Sequence, residues 1–126
     1  LTQIKTPVYF LSTIEDHIAP WKATYAGAKL FSGQVKFVLG GSGHIAGVVN
    51  PPVAGKYCYW TQSKLAENPE DWFAGAKQYD GSWWNDWYKW CYRRAGNKVA
   101  ARVPGEGGLP VLEEAPGSYA KVHLHK

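Results

Sequence analysis

Methionine is absent from this chain of 126 residues, cysteine occurs twice, and no apolar run approaches the roughly 18 residues that a helix needs to cross a bilayer. The missing apolar run argues against a transmembrane protein. The opening residues also lack the basic-then-apolar layout of a secretory signal, so a cytoplasmic location is expected. Cys58 and Cys91 stand far apart with no second pair beside either, which excludes a cysteine metal cluster and a disulfide framework and suits a reducing compartment. No internal repeat or low-complexity tract is visible. The chain begins with Leu1, and together with the lack of methionine this sets the expectation of a piece cut from a longer reading frame.

What is present can build one modest core, since 45% of the residues are hydrophobic. The net charge is +4, and the cations Arg93, Arg94, Lys98 and Arg102 follow an aromatic-rich segment. A cation near a helix C-terminus is favourable by itself, so a solvated basic helix end is the plain reading. Contacts to phosphate are the alternative.

Pro7–Ser12 (PVYFLS) reads as a buried strand, followed by the polar turn Ile14-Glu15-Asp16-His17. From Pro20 the spacing of Trp21, Ala28 and Phe31 predicts a helix of about three turns, with Gly33 just past its end. Gln34–Leu39 (QVKFVL) alternates again and breaks into Gly40-Gly41-Ser42-Gly43. A helical crossover of this length joins parallel strands, which places Asp16 and His44 beyond the carboxyl ends of neighbouring strands. Open α/β sheets bind ligands at that edge. Two strands do not make a stable doubly wound sheet, so the remaining strands are expected upstream.

Further on, Asn68-Pro69-Glu70-Asp71 opens an amphipathic helix with a cap, a first-turn proline and early acids. A second helix begins near Ser82 and carries Trp83, Trp84, Trp87 and Trp90, a stripe expected to bury against the sheet. Residues 1–103 are read as part of one domain and residues 104–126 as its Gly/Pro-rich tail, irregular to Gly117, with Ser118–Leu124 either a short edge strand or loose.

Asp16 and His44, 28 positions apart, stand in the chain order in which hydrolase-type triads carry acid and histidine. A carboxylate bonded to the imidazole fixes its tautomer and stabilises the imidazolium formed when it takes a proton. His17 is read as a packing or loop-fixing residue and Glu15 as solvated. His123 and His125 have the spacing of a metal pair, but no metal is expected from two side chains in a tail. The glycine run lacks the Gly-Lys-Ser/Thr ending of a phosphate loop and is read as a tight bend that lets His44 reach the crevice. Ser42 stands outside any G-x-S-x-G elbow, and neither cysteine has elbow glycines, so both cysteines are read as structural.

The segments VYFLSTIEDHIAPW, VKFVLGGSGHIAGVVNPP, YWTQ, GSWWNDWYKW and APGSYAKV, in this order, resemble the polyhydroxyalkanoate synthases, closest to those using short-chain monomers. The resemblance spans nearly the whole chain. It implies the C-terminal portion of an α/β-hydrolase fold, with Asp16 and His44 as the catalytic acid and base and a cysteine nucleophile in an elbow upstream. Ile14 departs from the pattern, because many relatives carry arginine there.

The implied reaction polymerises (R)-3-hydroxyacyl-CoA into polyester through a covalent acyl-enzyme, with release of CoA. The CoA thioester is the substrate and no cofactor is expected. The resemblance further implies the growing polyester chain as partner, a homodimer, and association with a granule surface; no nucleic acid is expected. Aromatic segments would wall off an apolar channel. Two other readings stay open: an esterase or depolymerase on the same fold, and a non-catalytic aromatic-rich binding module. The isolated piece is expected to be inactive.

Overall fold

Val8–Thr13 forms strand β1 and Val35–Gly40 forms β2, paired in parallel from Val8↔Val35 to Thr13↔Gly40. The helix between them, α1 (Trp21–Ala28), is the crossover. The computed structural model describes residues 1–123. Cys58–Thr61 (β3) and Lys77–Asp80 (β4) extend the sheet in the order β1-β2-β3-β4, both added antiparallel. These two strands, which the sequence reading passed over, lie downstream of β2, so part of the sheet expected upstream is supplied from within this chain. The result is a small α/β unit with a mixed four-stranded sheet and three helices, completed by α2 (Pro69–Gly75) and α3 (Trp84–Tyr92).

The alternation of each strand decides which helix it meets. Phe10, Phe37, Leu39 and Trp60 point to one face and meet α1 and α2. Tyr9 and Lys36 point to the other face and meet α3. The core is aromatic. Tyr25, Phe37 and Trp72 are fully buried with ring centroids 5.0–5.7 Å apart, and Trp21 and Phe73 close the cluster. Tilted and edge-on pairs of this kind add about 0.5–1.5 kcal/mol each beyond area burial. The buried phenol of Tyr25 donates to the Ala66 carbonyl at 2.9 Å, which offsets the loss of water around it.

Helix α1 has eight residues rather than the three turns expected. It stops because the chain is drawn toward the N-terminal segment: Gly33 N–H donates to Ile4 O at 3.1 Å, and Phe31 packs on Phe10 of β1. Gly33 serves close approach, not a left-handed turn. A Cβ there would sit 2.4 Å from Lys5 O. Helix α2 starts as its sequence requires, with Asn68 accepting Asp71 N–H at 2.8 Å and Pro69 in the first turn.

Leu1–Ala95 is one compact unit and a second begins at Gly96; the described residues of the second, 96–123, are irregular and carry one short 3-10 turn at Tyr119–Lys121. Residues 118–123 therefore form no strand, and Leu124 lies outside the described residues. Among the described residues, no helix is long and apolar enough to cross a membrane.

Candidate active site

The parallel ladder does not end with the strands. Ile14 N–H donates to Gly40 O at 2.9 Å and Glu15 N–H to Ser42 O at 3.1 Å, so the loops after β1 and β2 stay tied side by side. The first loop then turns on itself through Asp16 N–H to Thr13 O. Asp16 Oδ1 accepts the N–H groups of Ile18 and Ala19, each at 2.9 Å, an arrangement natural to an aspartate in a turn. Its other oxygen, Oδ2, lies 2.7 Å from His44 Nδ1.

Both carboxylate oxygens are thus committed, and the side chain cannot rotate without breaking one set of bonds. The Ala19 N–H, followed by His44, holds the Asp16 carboxyl down at about 2, against an ordinary value of 3.8. An ionised carboxylate only accepts, so Nδ1 of His44 carries the proton and donates it to Asp16. That leaves Nε2 as the ring's free basic atom. Asp16 is 8% exposed and His44 46% exposed, so the acid is sheltered while the histidine faces outward.

The loop carrying His44 is a single helical turn closed by Gly47 N–H to Gly43 O at 2.9 Å and Val49 N–H to Ile45 O at 2.8 Å. The bend before it was expected from glycine, yet the left-handed residue is Ser42 (φ 69°). Gly47 is the glycine this loop cannot replace. A Cβ on it would stand 2.4 Å from Gly41 O and 2.5 Å from Thr13 Cγ2.

Two tryptophans hold this turn from outside. Trp83 Nε1 donates to Gly47 O at 3.1 Å and Val48 O at 3.2 Å, and Trp84 Nε1 donates to Val48 O at 3.0 Å. Sequence reasoning counted both only as apolar bulk, although the indole N–H is a donor that a half-buried tryptophan normally places on an acceptor. The expectation that the stripe buries is corrected as well. No residue of α3 is fully buried, Trp87 is 45% exposed, and the one fully buried tryptophan is Trp72 of α2. Helix α3 lies over the edge of the sheet through Trp90 on Tyr9, and this leaves its far side in solvent.

No protein-family model matches the chain. Over 122 residues it is 51% identical to a poly(3-hydroxyalkanoate) polymerase subunit PhaC of Rhizobium meliloti (strain 1021), covering 97% of this chain and 20% of that protein. The PhaC subunit of Rhizobium etli is 50% identical over 119 residues (94% and 19%), and that of Cupriavidus necator 47% over 122 residues (96% and 21%). The chain is a homologue of the poly(3-hydroxyalkanoate) polymerases. It spans about one fifth of the length of these relatives.

The polymerase homology puts the remaining candidates in order. Ile14, the departure noted in the sequence, packs its side chain against the aromatic core, a contact an arginine would not make equally well. His17 is exposed and, among the described residues, its side chain makes no hydrogen bond. Glu15 is exposed too. Burial, with Asp80 nearby, pushes the Cys58 thiol up, which disfavours its thiolate. Cys58 lies in β3, where its carbonyl accepts Gly41 N–H at 2.8 Å. His123 is exposed and His125 lies outside the described residues. Among the described residues, no group of three His, Cys, Asp or Glu side chains is placed to hold a metal ion.

Proposed function

We propose that, in the complete polypeptide, Asp16 and His44 are the acid and base of an acyltransferase that polymerises (R)-3-hydroxyacyl-CoA into polyester. The observation that carries this reading is the 2.7 Å Asp16–His44 bond at the carboxyl ends of two adjacent parallel strands, in a chain homologous to polymerases of that name. The nucleophile in this reading is a cysteine in an elbow elsewhere in the polypeptide. His44 Nε2 takes the thiol proton, the thiolate attacks the thioester carbonyl, and CoA leaves as its thiol with an acyl-enzyme formed. Asp16 stabilises the imidazolium in that step. In the next step His44 takes the proton of a monomer or chain hydroxyl, whose oxygen attacks the acyl-enzyme, so that an ester bond forms and the cysteine is released.

The fold fits an α/β-hydrolase sheet continued at β1. This strand is at the edge of the described sheet, is parallel to β2, and is apolar along VYFL, the character of a strand paired on both sides. The same reading makes the CoA thioester and the growing polyester its partners, and it includes a homodimer at a granule surface.

The test is to supply the complete polypeptide with (R)-3-hydroxybutyryl-CoA and follow free thiol and product together. Thiol release with accumulating polymer is expected. Thiol release with only free hydroxy acid would transfer the reading to a hydrolase, and no thiol release would end it. Trp83→Phe/Trp84→Phe, which removes both indole donors but keeps aromatic bulk, is expected to slow thiol release by about tenfold at unchanged KM, because two to three hydrogen bonds worth roughly 0.5–1.5 kcal/mol each hold the His44 turn. Unchanged turnover would mean that the turn's own backbone bonds suffice.

A further inference from the structure

At the opposite end of the sheet from Asp16 and His44, the C-terminal half of α3 and the first residues of β2 enclose an open cavity of about 480 Å³. Its walls carry four cations, Lys36, Lys89, Arg93 and Arg94, and a single carboxylate, Asp86. That carboxylate is already spent: Lys36 Nζ donates to Oδ1 at 2.7 Å and the Tyr9 hydroxyl to Oδ2 at 3.0 Å. The other three cations have no carboxylate partner among the described residues.

Arg94 is also held in place. Its guanidinium lies 4.2 Å over the Trp90 ring, donates to Trp90 O at 3.0 Å and reaches Gln34 Oε1 at 2.7 Å. A guanidinium fixed by neutral acceptors keeps its full charge and loses little freedom when an anion arrives. Lys89 and Arg93, one helical turn apart, are exposed beside it and can close on the same ligand. Of the basic run noted in the sequence, Arg93 and Arg94 therefore line a concave site, whereas Lys98 and Arg102 belong to the second unit.

We infer that this cavity binds a phosphate-bearing small molecule through Arg94, Arg93 and Lys89. Strand β2 of six residues separates it from His44 by roughly 20 Å. The site is thus distinct from the reacting atoms, and the inference stands apart from the acyl-transfer reading.

The experiment is calorimetric titration of the complete polypeptide with inorganic pyrophosphate at an ionic strength of about 50 mM, where charges are little screened. Saturable one-to-one binding is expected. It should weaken by about tenfold or more in Arg93→Gln/Arg94→Gln, weaken with added salt, and persist in His44→Ala. Arg93→Gln alone, at an exposed residue whose side chain has no ion-pair partner among the described residues, gives the same direction without risk to the fold. Absence of binding, or binding that neither variant alters, would overturn the inference. Displacement of pyrophosphate by hydroxyacyl-CoA would identify the phosphate as the thioester's own nucleotide; simultaneous binding of both would identify a separate ligand.

Discussion

Asp16→Asn in the complete polypeptide is expected to slow thiol release by about 10²–10⁴-fold with little change in fold, the range of a general base that has lost its correct form. The asparagine carbonyl can still accept the Ile18 and Ala19 N–H groups that Asp16 Oδ1 accepts at 2.9 Å. Its amide NH₂ then faces His44 Nδ1, where the carboxylate oxygen now lies at 2.7 Å. A donor in that position makes Nδ1 the acceptor and puts the ring proton on Nε2, the atom that has to take a proton in catalysis. Because acid and base act as one unit, adding Asp16→Asn to His44→Ala is expected to cost almost nothing further. Additive losses in the double variant would mean that Asp16 acts elsewhere, for example on the substrate hydroxyl.

The same variant has a pH signature. The folded carboxyl titrates at about 2, below its ordinary 3.8, so its stabilisation is fully present above the ordinary value and is lost as the pH falls from 3.8 toward about 2. The stability gap between wild type and Asp16→Asn should therefore close across that window. A gap that stays constant through it would contradict the hydrogen bonds assigned to Asp16.

Trp72→Ala is expected to destabilise the unit by about 3–5 kcal/mol, the largest effect of any single truncation in this core. Trp72 is fully buried and touches Trp21, Tyr25 and Phe37 at once, with ring centroids 5.0–6.3 Å away. Its removal opens a cavity between α2, α1 and the sheet that three aromatic neighbours, held in place by their own contacts, cannot fill. Trp72 Nε1 is buried without a hydrogen-bond partner among the described residues, so phenylalanine, which removes that donor and keeps most of the ring, should cost clearly less. Thermal unfolding of the complete polypeptide followed by tryptophan fluorescence gives the order directly. A Phe variant as unstable as the Ala variant would show that the indole N–H has a partner after all.

Strong local patterns made much of this unit legible in its residues. The alternation of Val35, Phe37 and Leu39, the Asn68-Pro69 helix start and the strand-helix-strand order each follow from backbone and burial preferences acting over a few neighbours. The placement of Asp16 and His44 on one edge follows from the parallel direction that a helical crossover gives the two strands, which is also local. Tertiary structure alone decided the rest. Strands β3 and β4 are four residues long, and each residue of Lys77–Asp80 is exposed, so they exist because β2 offers an edge to β3, and β3 in turn to β4, rather than because their own pattern demands it. The length of α1 was set by a contact with residues four and five of the chain, far from the helix in sequence. The indole clamps of Trp83 and Trp84 and the cation-lined cavity depend on where α3 lies across the sheet. A helix records in its sequence which side is apolar, but the acceptors its polar atoms meet belong to other segments, and only packing brings them within reach.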